Sequence, residues 1–205
     1  MDQQDLIKEI GHIRSMMEKS SKFISISGLS GVLIGMYALI GAFLAYIKVF
    51  GFRSTFDYRD HYVTDDGVVG YLVVVAVAVL LASLITGVVM AKRKASKIKQ
   101  SVWNVTSRAM LKAVSVPLMA GGLFALLLIW KGYYELIAST LLIFYGLALS
   151  AGSVFTFKEV RWLGVLEVCL GLAALLFPGY GLWFWVCGFG LLHIIYGFIV
   201  YKKYE

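Results

Sequence analysis

Two residues of this chain lie where insertion into a membrane does not by itself account for them. Glu167 and His193 each sit deep within a run of apolar residues. A charge there is costly and normally faces protein or a water-filled cavity. Pro178-Gly179 separates the two runs and signals a turn. Glu167 stands 12 residues before Gly179, and His193 stands 14 after it. If both runs are helices, a rise of about 1.5 Å per residue puts the two side chains within about 3 Å of the same depth. A carboxylate beside an imidazole can form a buried hydrogen-bonded pair that locks two helices together. It can also handle a proton or contact a ligand. Two such groups without a third do not make a zinc or iron centre. The lock and the functional site both stay open at this level.

The elements that must position the pair follow from composition. Of the 205 residues, 60% are apolar and 15% are charged. That excludes a water-soluble fold, a disordered chain, a disulfide scaffold and a coiled coil. Six continuous apolar stretches are legible, at about 23–47, 68–91, 110–130, 133–155, 162–178 and 180–201. Each is close to the roughly 20 residues that a spanning helix needs. A chain in lipid must satisfy its own backbone hydrogen bonds, so these stretches predict helices. They lack the alternation of a membrane β-barrel. The expected fold is therefore all-α: a polytopic membrane protein of six transmembrane helices in one domain (23–205), preceded by a charged segment (1–22). Pro117 falls inside the third stretch and predicts a kink there.

Basic residues set the orientation. With the N-terminus inside, 15 Lys and Arg fall on the inner side and 4 on the outer. That bias predicts both termini in the cytoplasm, a basic inner loop at 92–109 and an acidic outer loop at 48–67. The net charge of +7 is then an orientation signal, with no nucleic-acid partner implied. The first apolar stretch is too long for a signal-peptide core of about 7–15 residues, which predicts an uncleaved first span. Asn104-Val105-Thr106 fits the glycosylation pattern, but the predicted inner loop would leave it unused. Cys169 and Cys187 both fall within spans and read as small apolar residues.

The spans pair into three hairpins with related sequences. Gly122–Leu127 of the third span and Gly171–Leu176 of the fifth agree at five of six positions. Gly35–Ile40 of the first keeps the Gly, Ala and Leu. Leu141–Gly146 of the fourth span matches Leu192–Gly197 of the sixth at four of six. These matches predict an internal repeat about an axis along the membrane normal. The places corresponding to Glu167 and His193 are Leu118 and Leu142, so the last hairpin alone carries the polar pair. That hairpin has a Gly-rich first helix, Pro178 at its turn and Tyr196-Gly197 near its end. On these features the chain resembles small six-helix bacterial membrane proteins of the HdeD-like, acid-resistance type. The resemblance implies a bacterial cytoplasmic (inner) membrane and a role in envelope stress. The long basic loop, the acidic outer loop and the charged N-terminal segment depart from that pattern.

Small residues spaced along the helices predict packing faces, because they let backbones approach in lipid. Ser27, Gly31 and Gly35 form one such face; Gly164 and Gly171 form another, and Gly190 and Gly197 a third. The Gly31–Gly35 pair could instead support a homo-oligomer. Leu6, Ile10, Ile13 and Met17 form the apolar side of an amphipathic helix. That helix would lie on the inner leaflet or dock a cytoplasmic protein partner. Ile98, Val102 and Val105 suggest a second such helix in the basic loop, suited to anionic lipids. In the outer loop, Asp57, Asp60 and His61 offer ligands for a hard cation, but their spacing matches no calcium loop. A solvated acidic loop is the expectation, with no metal and no cofactor. No nucleophile elbow, phosphate loop, zinc-helix motif or Cys-x-x-Cys pair is present, so no catalytic residue and no enzyme is expected. The expected function is interaction with protein or lipid. The alternative is a small transporter or proton-linked carrier that uses Glu167 and His193.

Overall fold

The computed structural model describes residues 27–51, 66–97 and 101–204. These residues form six helices, and no sheet is present among them. Helix α1 runs Gly28–Phe50, α2 Asp66–Lys97 and α3 Val105–Lys131. Helix α4, Ile137–Gly152, is flanked by single 3-10 turns at Tyr134–Leu136 and Ser153–Phe155. Helix α5 runs Lys158–Leu176. Helix α6, Gly181–Tyr204, is continuous but contains a π segment, Val186–Leu192. Left-handed glycines make the sharp breaks, Gly132 at φ 78° and Gly179 at φ 90°; there a side chain would strain the backbone.

Five of the helices, all except α5, are long and apolar enough to cross a bilayer. The 19 residues of α5 include Lys158, Glu159 and Arg161 in its first turn, and Glu167 further in. Burial runs opposite to that of a soluble protein. The interior is built from small residues such as Ala38, Ala42, Ala45, Ala125 and Ala148. Large side chains such as Phe43, Leu81, Ile85 and Trp162 face outward. In lipid this is the expected arrangement, because close backbone packing rather than apolar burial holds helices together.

Helices α1 and α2 pack on each other, as do α3 and α4. The last pair behaves differently. Helix α5 packs chiefly on α4, and α6 chiefly on α1, so α5 and α6 touch far less than their short connection suggests. The bundle therefore runs α2–α1–α6–α5–α4–α3.

The two strongest junctions share one contact pattern. A Cβ on Gly35 of α1 would fall 2.6 Å from the Gly190 carbonyl oxygen and 2.6 Å from Ile194 Cγ1 of α6. A Cβ on Gly171 of α5 would fall 3.0 Å from the Ser139 carbonyl oxygen and 2.6 Å from Ile143 Cγ1 of α4. Gly28 faces the Gly197 carbonyl at 2.6 Å, and Gly164 faces the Gly146 carbonyl at 2.7 Å. All seven expected packing residues (Ser27, Gly31, Gly35, Gly164, Gly171, Gly190, Gly197) are buried. Gly28, rather than Ser27, makes the closest approach of α1; Ser27 accepts a hydrogen bond from Ser30 Oγ at its carbonyl, 2.6 Å away.

One expectation is corrected. Val102 and Val105 do not share the turns of one helix, since Val102 lies in a bend and Val105 is the first residue of α3. Helix α2 continues to Lys97, residues 101–104 bend, and Val105 opens α3. Asn104 decides this locally. Its Oδ1 accepts from the Ser107 amide at 2.8 Å, and Ser107 Oγ accepts from the Asn104 amide at 2.9 Å. This reciprocal cap satisfies two helix-end amides and fixes the start of α3. Within the expected inner loop at 92–109, residues 92–97 and 105–109 are helical. Helix α3 runs unbroken through Pro117. Leu6, Ile10, Ile13, Met17, Ile98, Asp57, Asp60 and His61 lie outside the described residues.

Candidate functional site

Glu167 and His193 meet in the interior. Glu167 is 0% exposed and His193 3%. Helix α5 presents Glu167 on the face that carries Gly164 and Gly171, and α6 delivers His193 just where its π segment ends. Nδ1 of His193 stands 3.4 Å from Oε1 of Glu167. The same nitrogen is 3.1 Å from the Gly188 carbonyl oxygen.

A third side chain completes the cluster. The Tyr145 hydroxyl of α4 lies 2.8 Å from His193 Nε2. Three helices thus contribute one polar group each. When the imidazole is neutral with its proton on Nδ1, it donates to the Gly188 carbonyl and accepts from Tyr145. As imidazolium, it donates at both nitrogens. In either case the carboxylate is left aside: neither oxygen of Glu167 has a hydrogen-bond partner among the described residues. At 3.4 Å, Oε1 is close enough for attraction but too far for a good hydrogen bond. Nδ1 therefore stands between two acceptors, a carbonyl it bonds and a carboxylate it almost reaches.

The backbone around the site is shaped to admit the carboxylate. A Cβ on Gly188 would sit 2.6 Å from Glu167 Oε2 and 2.5 Å from Leu142 Cδ2. Only glycine leaves room for both. Gly188 lies within the π segment, a wide turn of a kind that recurs at functional sites. Leu142, 0% exposed, closes the cluster from α4. Phe189 packs at a tilt against Tyr145, 5.2 Å between ring centroids, and against Trp185 at 4.6 Å. Trp185 Nε1 donates to the Ala38 carbonyl at 3.3 Å, which ties this wall to α1.

The pair named from sequence is therefore adjacent in space, and sequence reasoning missed Tyr145 and Gly188. Tyr145 had one faint signal: it precedes Gly146 as Tyr196 precedes Gly197 in the matching stretch. Cys169 and Cys187 lie away from the cluster, exposed on the outside of the bundle. Among the described residues, no group of three or more His, Cys, Asp or Glu could hold a metal ion.

Tyr145→Phe is expected to lower stability by about 0.6–1.7 kcal/mol, the range for one interhelical hydrogen bond in a membrane. Unfolding by SDS titration in mixed micelles measures it. Comparison with protein-family models, curated proteins and solved structures finds no match.

Proposed function

We propose that this chain is a six-span inner-membrane protein of three repeated hairpins, with both termini in the cytoplasm. It works by contact with protein or lipid rather than by catalysis. The observation that carries this reading is the closure of the buried cluster of Glu167, His193 and Tyr145. Glu167 and His193 are sealed among Leu142, Gly188 and Phe189, with almost no exposed surface. A buried cluster that joins three helices serves to lock them. The repeat is supported by the matching contacts at the α1–α6 and α4–α5 junctions. The sixth span is supported by the charges of α5, three of which sit in its first turn. At about 1.5 Å per residue its length nearly spans a bilayer core.

The contact surfaces in this reading are the N-terminal amphipathic segment expected from sequence and the basic ends of α2 and α3. An envelope-stress role, as in the proteins that the last hairpin resembles, belongs to this reading. The test is crosslinking in native membranes with the full chain and with a chain lacking residues 1–20. Loss of specific crosslinked partners is the expected result. An unchanged partner set, with an unchanged phenotype, overturns it.

A second reading rests on the unbonded oxygens of Glu167 beside a π segment. A carboxylate that holds no hydrogen bond is free to take a proton from a group that shifts toward it. In this reading the protein is a proton-linked carrier. Proteoliposomes with an internal pH dye decide between the two. Proton flux that Glu167→Gln abolishes favours the carrier, and its absence in both chains favours the lock.

A further inference from the structure

The two junctions with matching contacts imply a third. If the repeat extends to α2, Gly87 takes the place of Gly146 in α4 and of Gly197 in α6, the glycine being the one residue shared with Leu141–Gly146. Ser115 and Gly122 of α3 take the places of Gly28 and Gly35, and of Gly164 and Gly171. Helices α2 and α3 should therefore cross as α6 crosses α1 and α4 crosses α5. They do not. A Cβ on Gly87 or on Gly122 would meet nothing within 4 Å. Helix α2 packs on α1 and α3 packs on α4, with no extensive contact between α2 and α3. The residues that would line the junction face outward instead: Leu80 is 56% exposed, Leu84 55% and Met119 67%.

Charge disfavours closure of this gap by α3 or by a second copy of the chain. Residues 68–134 contain no Asp or Glu. Lys92, Arg93 and Lys97 are exposed at the end of α2, and Arg108 and Lys112 at the start of α3. Closing α2 on α3, within one copy or between two, brings like charges together without a counterion. Elsewhere on the same side the chain supplies an acid for this purpose, since Glu159 accepts from Lys203 Nζ at 2.6 Å. What fits the gap is an occupant that is apolar along its length and anionic at the cytoplasmic end.

We propose that the open junction between α2 and α3 is a binding site for an anionic phospholipid. Its acyl chains cover Leu80, Leu84 and Met119, and its phosphate lies among the basic side chains at the two helix ends. The assignment rests on the inner placement of those ends proposed above. Cysteine-accessibility labelling at position 97 checks that placement separately, so failure of one is distinguishable from failure of the other.

The experiment counts phosphatidylglycerol retained by the detergent-solubilised full chain in native mass spectrometry, with phosphatidylcholine as the neutral control. Phosphatidylglycerol is expected to be retained and phosphatidylcholine lost. Arg108→Gln/Lys112→Gln is expected to weaken retention by about fivefold per charge removed. Both residues are exposed, so the fold survives the change. Equal retention of the two lipids, or a double variant that binds as the parent does, overturns the site. A second arm places Leu84→Cys and Met119→Cys in a chain with Cys169→Ala and Cys187→Ala. A disulfide within one chain means that α3 closes the gap, and a disulfide between chains means that a second copy does. Either result overturns the proposal, and a pair that stays reduced under mild oxidation supports it.

Discussion

Replacing His193 with leucine is expected to destabilise the bundle by about 1–3 kcal/mol, the cost of leaving a buried polar group without its partner. The reason lies in what remains. Glu167 keeps its place at 0% exposure with no hydrogen-bond partner, and the imidazole 3.4 Å away is gone. The Tyr145 hydroxyl also loses its partner. The informative variant is the double one. With Glu167→Leu/His193→Leu, the buried polar pair becomes two apolar side chains of similar bulk. Such replacements are often neutral or stabilising. Most of the lost stability should therefore return, and SDS unfolding of the parent, both single variants and the double variant gives the coupling directly. If the double variant is as unstable as the sum of the singles, the two side chains do not act as a pair. A stable double variant also separates the two functional readings. A lock survives it, whereas a proton carrier folds and transports nothing.

The second large effect compares two glycines that begin matching sequences. Gly35 opens Gly-Met-Tyr-Ala-Leu-Ile and Gly122 opens Gly-Leu-Phe-Ala-Leu-Leu. In the structure their surroundings are opposite. A methyl group at Gly35 runs into the Gly190 carbonyl and Ile194 of α6 at 2.6 Å, and one at Gly122 meets nothing. Backbone cannot yield as a side chain end can, so Gly35→Ala must push α6 away from α1. Overpacking of this kind costs about 1–3 kcal/mol. Gly122→Ala costs no packing and removes a flexible residue from a helix interior, a gain of about 0.5–1 kcal/mol. Unfolding of the two single variants under one set of conditions checks both signs. Equal destabilisation would mean that α3 carries a partner at Gly122 in the membrane.

Much of this architecture is legible in the sequence, because lipid imposes simple rules. The six apolar stretches map onto six helices, since no other local structure satisfies a lone segment's backbone in lipid. Glu167 and His193 stand out because charge within an apolar run is rare. Tyr145 and Gly188 do not, because tyrosine and glycine are ordinary residues in membrane helices. Their roles arise from contacts across three helices, which no local pattern encodes. The helix boundary in the basic segment is hidden for a different reason: a helix can run on past the bilayer with its lysines in water, and the Asn104–Ser107 cap that starts α3 rests on two short side chains. The matching glycine-containing stretches are visible in sequence; which helices they bring together is not. No acid stands between Gly67 and Tyr134, and no local pattern says what that does to packing.

Among the described residues, helix α1 finds its main partner in α6. The closest backbone approach of α1 is to α6, and 130 residues separate Phe50 from Gly181. At about 5–20 residues per second, roughly 7–26 s of synthesis pass between the exit of the two helices. Throughout that interval the glycine face of α1 is inserted but unmatched, open to the wrong neighbour or to the cell's quality control. A chain halted before Gly181 never leaves that state. Closure of the α1–α6 junction therefore has to wait until α6 has been made.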